Sequence, residues 1–365
     1  MLVRFPDYYK SFKCTASKCS DNCCIGWEID IDEKTLEYYQ NADKKMGGHL
    51  LENIELDGET PNFILKNDRC PFLNDDNLCE IILNLGAEHL CDICRMHPRF
   101  NNWLGNERET GLGLCCEEAA RLILSQKEKT LLLEETTDEP AATASPNLPI
   151  LKKSREKLFE IVQNRNKSIG RRITEIIVFS EIFQAGIDLG KTAFDFDKMY
   201  AVTVEKTGKY NNMNCDFTEK LTDILSSFEY MQDELLKTTA SAVKRILENG
   251  YDSLMEFSAE WTKNTELENI LFYTFYRYYL KSADSMMILE RVKAILFFIY
   301  TFVIMEYEKW CENKGRLTIE MSVHMAKLLS KEIEYSEDNL DMLENSVAEV
   351  SSEELICFVK KAGLY

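Results

Sequence analysis

The sequence predicts a mainly α-helical protein, with a small Cys-rich metal-binding N-terminal domain that contains short strands and an irregular helical bundle after it. Cysteines are concentrated at one end, because ten of the 13 lie within the first 116 residues. Apolar residues recur every three or four positions from residue 151 onward, as they do in amphipathic helices. Residues 126–150 between these parts are rich in Thr, Ala, Pro and acids, which predicts a surface linker. The predicted parts are therefore 1–125, 126–150 and 151–365.

Short elements are predicted within the cysteine-rich part. Apolar and polar residues alternate from Trp27 to Ile31, which predicts a short strand, and Asp32 is then placed to cap a helix. The polar run Asn74–Asn77 predicts a turn, because Asn and Asp side chains bond to the backbone two residues ahead. A further helix is expected to begin at about Cys116.

Helices are also predicted in the second part, over residues 151–166, 169–188, 232–249, 284–313, 316–334 and 352–362. Gly250 and Gly315 follow two of them, as glycine often does at a helix C-terminus. The segment 294–305, AILFFIYTFVIM, is apolar on all sides and predicts a buried helix. The segment NILFYTFYRYYL has one apolar face, formed by Phe272, Phe275, Tyr276 and Tyr279.

Charge and hydropathy narrow the function classes. The chain has 43 Lys and Arg against 62 Asp and Glu, a net charge of −19, so binding to nucleic acid through phosphate contacts is disfavoured. A cationic partner fits such a surface better. The most apolar stretch, residues 294–305, has twelve residues, whereas a membrane span needs about 20. The N-terminus has no apolar run of the export-signal type, which favours a reducing cytoplasm.

The cysteine spacing leaves three chemistries open. Disulfides would need an oxidising compartment. Structural zinc favours two CxxC knuckles, and only Cys91–Cys94 has that spacing. An iron–sulfur cluster accepts irregular spacing, because its ligands can come from several loops. We favour the cluster, with zinc as the alternative metal. The scattered Cys215, Cys311 and Cys357 are interpreted as core thiols.

Four stretches of the first 125 residues carry a distinctive pattern, namely FKCTASKCSDNCCIGWEIDID, CPFLNDDNLCEI, CDICRMHPRF and CCEEAARLIL. Together they resemble the flagellin lysine-N-methylase family, which belongs to a broader bacterial group of cysteine-cluster proteins associated with zinc or iron. The residues other than cysteine that match are Trp27, Pro98, Arg99, Glu118, Ala119 and Ala120. The chain departs from the pattern at Glu117, where the family has proline, and Cys91 and Cys115 are additional cysteines.

The resemblance implies a [4Fe–4S] cluster and transfer of a methyl group from S-adenosylmethionine to lysine side chains of flagellin. It also implies a set of metal ligands, consisting of Cys14, Cys19, Cys23, Cys24, Cys70, Cys79, Cys94 and Cys116. The cluster could hold the methyl donor at an iron that is free of cysteine, or it could be purely structural. The oligomeric state is not indicated.

Two arginines are candidates for binding the donor. Arg95 and Arg99 flank His97 just after a predicted ligand, so either could pair with the donor's carboxylate or offset thiolate charge. Ordinary ion pairs with nearby acids are the alternative. His97 could be a ligand or a structural imidazole. The chain shows neither a Rossmann-type glycine loop nor a CxxxCxxC triplet, since Gly26 stands at the third place.

A catalytic base cannot be assigned from the sequence. Methyl transfer needs a neutral amine, and a free lysine has a pKa near 10.4, so burial or a base must assist. The candidates are Asp21, Asp92, Glu117, Glu118 and the tyrosines of the helical part. Four of those tyrosines could form a cation-binding cage or simply belong to the core, namely Tyr273, Tyr276, Tyr278 and Tyr279. The alternative function is a non-catalytic metal-binding module joined to a protein-interaction bundle.

Overall fold

The computed structural model describes residues 1–20, 22–42, 44–56, 58, 60–210, 217–263 and 265–365. Cys215 and Asp21, which the sequence analysis singled out, lie outside the described residues. Helices dominate the described chain, which confirms the predicted mainly α-helical class. Their bounds are α1 Glu33–Asn41, α2 Lys44–Leu51, α3 Glu80–Leu85, α4 Asp92–Met96, α5 Glu117–Leu124, α6 Leu148–Val162, α7 Ile169–Asp188, α8 Phe196–Lys206, α9 Thr218–Ser226, α10 Glu234–Asn249, α11 Asp252–Trp261, α12 Glu266–Tyr278, α13 Ile288–Glu312, α14 Ile319–Ile333, α15 Glu337–Ala348 and α16 Ser352–Lys361.

Six short strands accompany the helices, namely β1 Leu2–Pro6, β2 Ile54–Glu55, β3 Asn62–Phe63, β4 Arg99–Trp103, β5 Glu107–Leu112 and β6 Leu132–Thr136. Four of them form a sheet in the order β4-β5-β1-β6, in which β1 is parallel to β5 and antiparallel to β6. Leu2 pairs with Thr136 and Pro6 with Leu132. Strands β2 and β3 form a separate antiparallel pair.

Helix α13 lies at the centre of the helical body. Every residue from Val292 to Glu308 is buried, and the helix contacts α7, α10, α14 and α15. An α-helix that is apolar on all sides must be covered on all sides, so the prediction of a buried helix at 294–305 is confirmed. Each large apolar side chain that is fully buried contributes about 1.5–3 kcal/mol to stability. No helix among the described residues is long and apolar enough to cross a membrane.

The buried apolar residues form two clusters. The smaller cluster includes Ile29, Tyr39, Phe63 and Phe72, and cysteines lie within it and against it. The larger cluster contains the helical body, and residues 104–124 also contribute to it. The four-stranded sheet is tied to this body by a buried ion pair, in which Arg155 of α6 donates to both carboxylate oxygens of Glu109 on β5. The predicted domain division at 125 and 150 stays a prediction.

The six predicted helices of the second part are confirmed within a few residues at each end. The structure adds α8, α9, α11 and α15, and it shows that the aromatic segment is helix α12. Gly250 and Gly315 follow helices with φ of +77° and +80°, which is the left-handed conformation that favours glycine. In the N-terminal part, Asp32 caps α1 by accepting from the backbone N–H of Thr35, and α5 begins at Glu117.

Two features differ from the prediction. The residues from Trp27 to Ile31 do not form a strand; Asp30 makes only an isolated bridge to Asn62. The alternation still reflects burial, because Ile29 and Ile31 lie in the smaller cluster. The segment predicted as a linker is largely exposed, yet it contains β6, whose partner β1 lies about 130 residues away in sequence. Pairing over that distance leaves no local signal.

Candidate active site between the cysteine-bearing loops and helix α14

Six cysteines from four segments of chain lie near each other, and all but Cys23 lie in or against the smaller cluster. They are Cys23, Cys24, Cys70, Cys79, Cys91 and Cys94, and their charges are close enough to shift one another's pKa. The backbone N–H of Cys70 donates to the carbonyl of Cys24 at 2.8 Å, which joins two of these segments. Cys70, Cys79, Cys91 and Cys94 are present as thiols rather than disulfides.

Most of these thiols hold their protons more strongly than a free cysteine does. Burial raises the pKa of Cys70 to about 11, and it also raises the pKa of Cys79. The pKa of Cys24 is raised by its hydrogen bond with Cys23 and by burial. Cys91 is the exception, because Cys94 donates to it and lowers its pKa. Metal binding by this set must therefore displace protons.

Cys116 and Cys19 form a second group beside the first. Cys116 is the N-cap of α5, and the backbone groups of Glu118 and Ala119 nearby favour its ionised form. Burial raises its pKa to about 12, and the charges of Cys19 and Cys23 add to this effect. Cys14 is exposed in the loop that leads to Cys19.

Glu117, which stands where the family has proline, anchors the loop that carries Cys19. Its carboxylate accepts from the backbone N–H of Ser20 at 2.8 Å and from the Ser20 hydroxyl, and it lies 3.7 Å from the Cys19 sulfur. Although burial opposes ionisation, the hydrogen bonds from Ser20 lower the pKa of Glu117. A carboxylate held in this way is a positioning group rather than a strong base.

The potential ligands of this set are thiols, and thiolates bind both iron–sulfur clusters and structural zinc. Among the described residues, no three His, Cys, Asp or Glu side chains are grouped as ligands of a single metal ion. Thiolates around one tetrahedral ion must lie closer together than thiolates bound to separate irons of a cluster. The ligand set of eight cysteines stays a prediction, and so does the choice between iron and zinc.

One face of α14, together with the residues just after the helix, lies against the cysteine-bearing loops. Lys327, Lys331 and Tyr335 follow one another at intervals of four residues and so lie on the same side. The charge of Lys327 helps to lower the pKa of Glu117. The ammonium of Lys331 lies 5.6 Å from the ring centre of Trp27, whose ring also contacts Tyr335 at 5.2 Å.

His97 lies beside this face. Burial, together with the charge of Lys331, lowers the pKa of His97 to about 4. The imidazole is therefore neutral at physiological pH.

A buried polar network lies behind Tyr335. The guanidinium of Arg277 on α12 is 3.4 Å from the carboxylate of Glu334, and it donates to the hydroxyl of Tyr273 at 2.6 Å. Glu334 accepts from the hydroxyls of Tyr273 and Tyr278 at 2.8–2.9 Å and from Ser330. Tyr273 also accepts from the backbone N–H of Leu114 at 3.4 Å, which links the network to the loop before Cys116.

The tyrosines proposed as a cage are part of the core. Tyr273, Tyr276, Tyr278 and Tyr279 are all at least 93% buried. The chain's own arginines already contact their rings: Arg277 lies 5.3 Å from Tyr278 and Arg155 lies 5.6 Å from Tyr276. The alternative that these residues belong to the core is therefore confirmed.

The two arginines proposed to bind the donor lie in different environments. Arg95 is exposed and pairs with Asp92, one of the candidate bases. The guanidinium of Arg99 lies over the rings of Phe12 and Tyr9, at 5.2 and 5.8 Å. Their role toward a donor stays a prediction.

The sequence patterns did not indicate Arg277, Glu334, Lys331 or Tyr335 as site residues. The sequence contained one indication of the buried network, because Arg277 is the only charged residue in NILFYTFYRYYL. A single charge within such an apolar stretch of helix requires a buried partner.

The family model described as "FliB lysine N-methylase C-terminal domain" matches residues 155–357, more than half of the chain. The protein belongs to this family. The match lies in the helical part, whereas the resemblance noted above rests on the cysteine-rich part, so the two lines of evidence concern different residues.

Curated relatives agree with this assignment. A protein named lysine-N-methylase from Salmonella typhimurium is 26% identical over 223 residues, which cover 56% of this chain and 54% of the relative. A protein named flagellar biosynthetic protein FliU from Salmonella muenchen is 31% identical over 149 residues, covering 37% of this chain and 84% of the relative. The alignment to the lysine-N-methylases thus spans about half of their length. No solved structure matches the chain.

Proposed function

We propose that this protein is an S-adenosylmethionine-dependent protein-lysine N-methyltransferase that acts on flagellin and carries a [4Fe–4S] cluster. The observation that carries the proposal is the family match over residues 155–357. The names of the relatives, a lysine-N-methylase and a flagellar biosynthetic protein, support the reaction and the flagellar substrate. The acidic surface, with a net charge of −19, suits a lysine-bearing partner.

The cluster would be held by thiolates of Cys24, Cys70, Cys79 and Cys94, which belong to the predicted ligand set. They come from different segments, and their charges influence one another's pKa. A cluster bound there would cross-link these segments around the small apolar core. A set of reduced thiols of this size fits a reducing compartment such as the cytoplasm.

The bound donor would supply a methyl group carried on a positively charged sulfur. A neutral amine accepts this methyl group, and the electron pair of the broken carbon–sulfur bond stays on the sulfur. The part of this chain is to bind the lysine, exclude water and let its ammonium lose a proton first. Burial raises the pKa of Tyr273, Tyr278 and Tyr335. Their hydroxyl groups therefore stay protonated at neutral pH and cannot accept that proton. At neutral pH His97 is neutral and Glu117 is ionised, so each has an electron pair available to accept a proton.

The test is purification without oxygen, followed by an absorption spectrum, iron and sulfide analysis, and incubation with radiolabelled S-adenosylmethionine and flagellin. We expect about four irons per chain and label on flagellin lysines. Replacing Cys24 or Cys94 by Ser should lower the iron content and the methyl transfer together. Cys311→Ser is the matched control, because Cys311 lies in α13 and does not belong to the predicted ligand set.

Two outcomes would contradict the proposal. A protein that holds iron and sulfide but transfers no methyl group to flagellin would be the non-catalytic module. A protein that holds zinc and still methylates flagellin would keep the reaction and exclude the cluster.

A further inference from the structure

We propose that the rings of Trp27 and Tyr335 form the binding site for the ammonium group of the substrate lysine. The inference rests on the proposed methylation and assigns residues to the recognition of its substrate. The ligand class is a primary alkylammonium ion and its methylated products.

The two rings form a partly open pair at the junction of the loops and α14. Their centres are 5.2 Å apart and their planes meet at 73°, so the edge of one ring faces the other. Trp27 is partly buried and Tyr335 is 37% exposed, which leaves part of the pair accessible to a ligand. Among the described residues, the interior tyrosines offer no such access, because they are buried around Arg277 and Arg155.

The pair already binds an ammonium group. The Nζ atom of Lys331 lies 5.6 Å from the centre of the Trp27 ring, within the distance of a cation–π contact. Lys331 is anchored one turn before Tyr335 on α14, and its side chain is only partly buried. A lysine side chain that enters from outside would make the same contact if Lys331 moved aside, as a long flexible side chain can.

Tyr335 is fixed from its buried side. The guanidinium of Arg277 lies 5.3 Å from its ring centre, and its hydroxyl lies beside the thiol of Cys115. Gly113 leaves the space for this hydroxyl, because a Cβ atom at Gly113 would lie 2.5 Å from it. A ring held in place in advance loses little entropy when a ligand binds.

The pair is also next to the predicted metal ligands. Trp27 follows Cys24 by three residues, and Tyr335 contacts Cys115, the neighbour of Cys116. An ammonium bound to these rings therefore lies close to the thiol groups near which the proposed chemistry would occur. The site joins the two parts of the chain.

The experiment is an NMR titration of the protein with ¹⁵N-labelled tryptophan, without methyl donor. The four indole N–H signals are assigned by single Trp→Phe substitutions. The probes are Nα-acetyl-lysine amide, its Nε-trimethyl form and the uncharged norleucine analogue. We expect both cationic probes to shift the Trp27 signal in a saturable way, and the norleucine analogue to leave it in place.

Trp103 is the matched control signal. It is 58% exposed and also carries a cation over its ring, the guanidinium of Arg108 at 5.1 Å. Equal shifts of Trp27 and Trp103 by the cationic probes would show general binding to exposed rings and would overturn the inference. Equal binding of the norleucine analogue would also overturn it, because a cation–π site discriminates by charge.

Two variants test the geometry. Lys331→Met removes the competing ammonium and keeps the length of the side chain, so the probes should bind about three- to tenfold more tightly. Lys360→Met is its control, because Lys360 lies over Tyr365 at 5.8 Å, and it should change nothing. Tyr335→Leu should weaken binding by a similar factor, while Tyr335→Phe, which keeps the ring, should not. Unchanged affinity in Lys331→Met and in a folded Tyr335→Leu would refute the site.

Methyl transfer measured on the same samples separates the two claims. If flagellin is methylated but the probes leave Trp27 unaffected, the aromatic site is wrong and the proposed function stands. If the cationic probes bind at Trp27 but no methyl group is transferred, the proposed function fails and the pair remains a lysine-binding site.

Discussion

The buried pair of Arg277 and Glu334 offers the sharpest test of how the helical body supports the site. The proposed change is Arg277→Met, which keeps a long apolar side chain and removes the cation. The side chain of Glu334 is completely buried, and that of Arg277 is 8% exposed. The carboxylate would keep the hydroxyl donors of Tyr273, Tyr278 and Ser330 but would lose its only described cationic partner.

The expected loss follows from these contacts. Removing one partner of a buried ion pair costs about 3–5 kcal/mol in unfolding free energy, because the other charge stays buried without compensation. The remaining hydroxyl donors lessen the cost, so we expect about 3 kcal/mol, a factor of more than about 100 in the unfolding equilibrium. Adding Glu334→Gln to Arg277→Met removes the uncompensated charge and should recover part of the loss.

The assay is urea unfolding of metal-free, reduced protein, followed by circular dichroism and tryptophan fluorescence. Lys244→Met is the matched control. Lys244 pairs with Glu248 at 3.8 Å, but both side chains are more than 60% exposed. Its removal should change stability by less than about 1 kcal/mol. A loss below about 1 kcal/mol for Arg277→Met, or a double variant no more stable than the single one, would refute the reasoning.

Three further predictions follow from the site. The pKa of His97 is lowered from 6.5 to about 4 by burial and by Lys331, so the unfolded chain binds a proton that the folded chain does not. Stability should therefore fall as pH drops from about 6.5 to about 4, by up to about 3 kcal/mol, and His97→Gln should flatten this slope in urea unfolding. Gly113→Ala should cost about 1–3 kcal/mol, because its Cβ would lie 2.5 Å from the Tyr335 hydroxyl. Gly48→Ala, where the helix has free space, should instead stabilise by about 0.5–1 kcal/mol. Zinc or iron affinity of the metal-free protein should rise with pH and release protons, since burial raises the pKa of most of the thiols; a pH-independent affinity would contradict this.

The sequence by itself determined six helices of the second part and the concentration of cysteines in the first. Helical periodicity is a local property, so the α13 segment and its burial could be predicted from residues 294–305 alone. Caps and turns are equally local, which is why Asp32 and the turn after Asn74, whose side chain accepts from two backbone N–H groups, were predicted correctly. The family resemblance rested on cysteines and short motifs that need no folded structure to be seen.

Only the tertiary structure decided which of these elements meet. Strand β6 was missed because it pairs with β1 across about 130 residues, and the buried pair of Arg277 and Glu334 joins residues more than 50 positions apart. The face of α14 that carries Lys331 reaches Trp27 only after the loops have folded against the helical body. Spacing along the chain contains no information about such contacts, because burial and charge compensation are properties of neighbours in space.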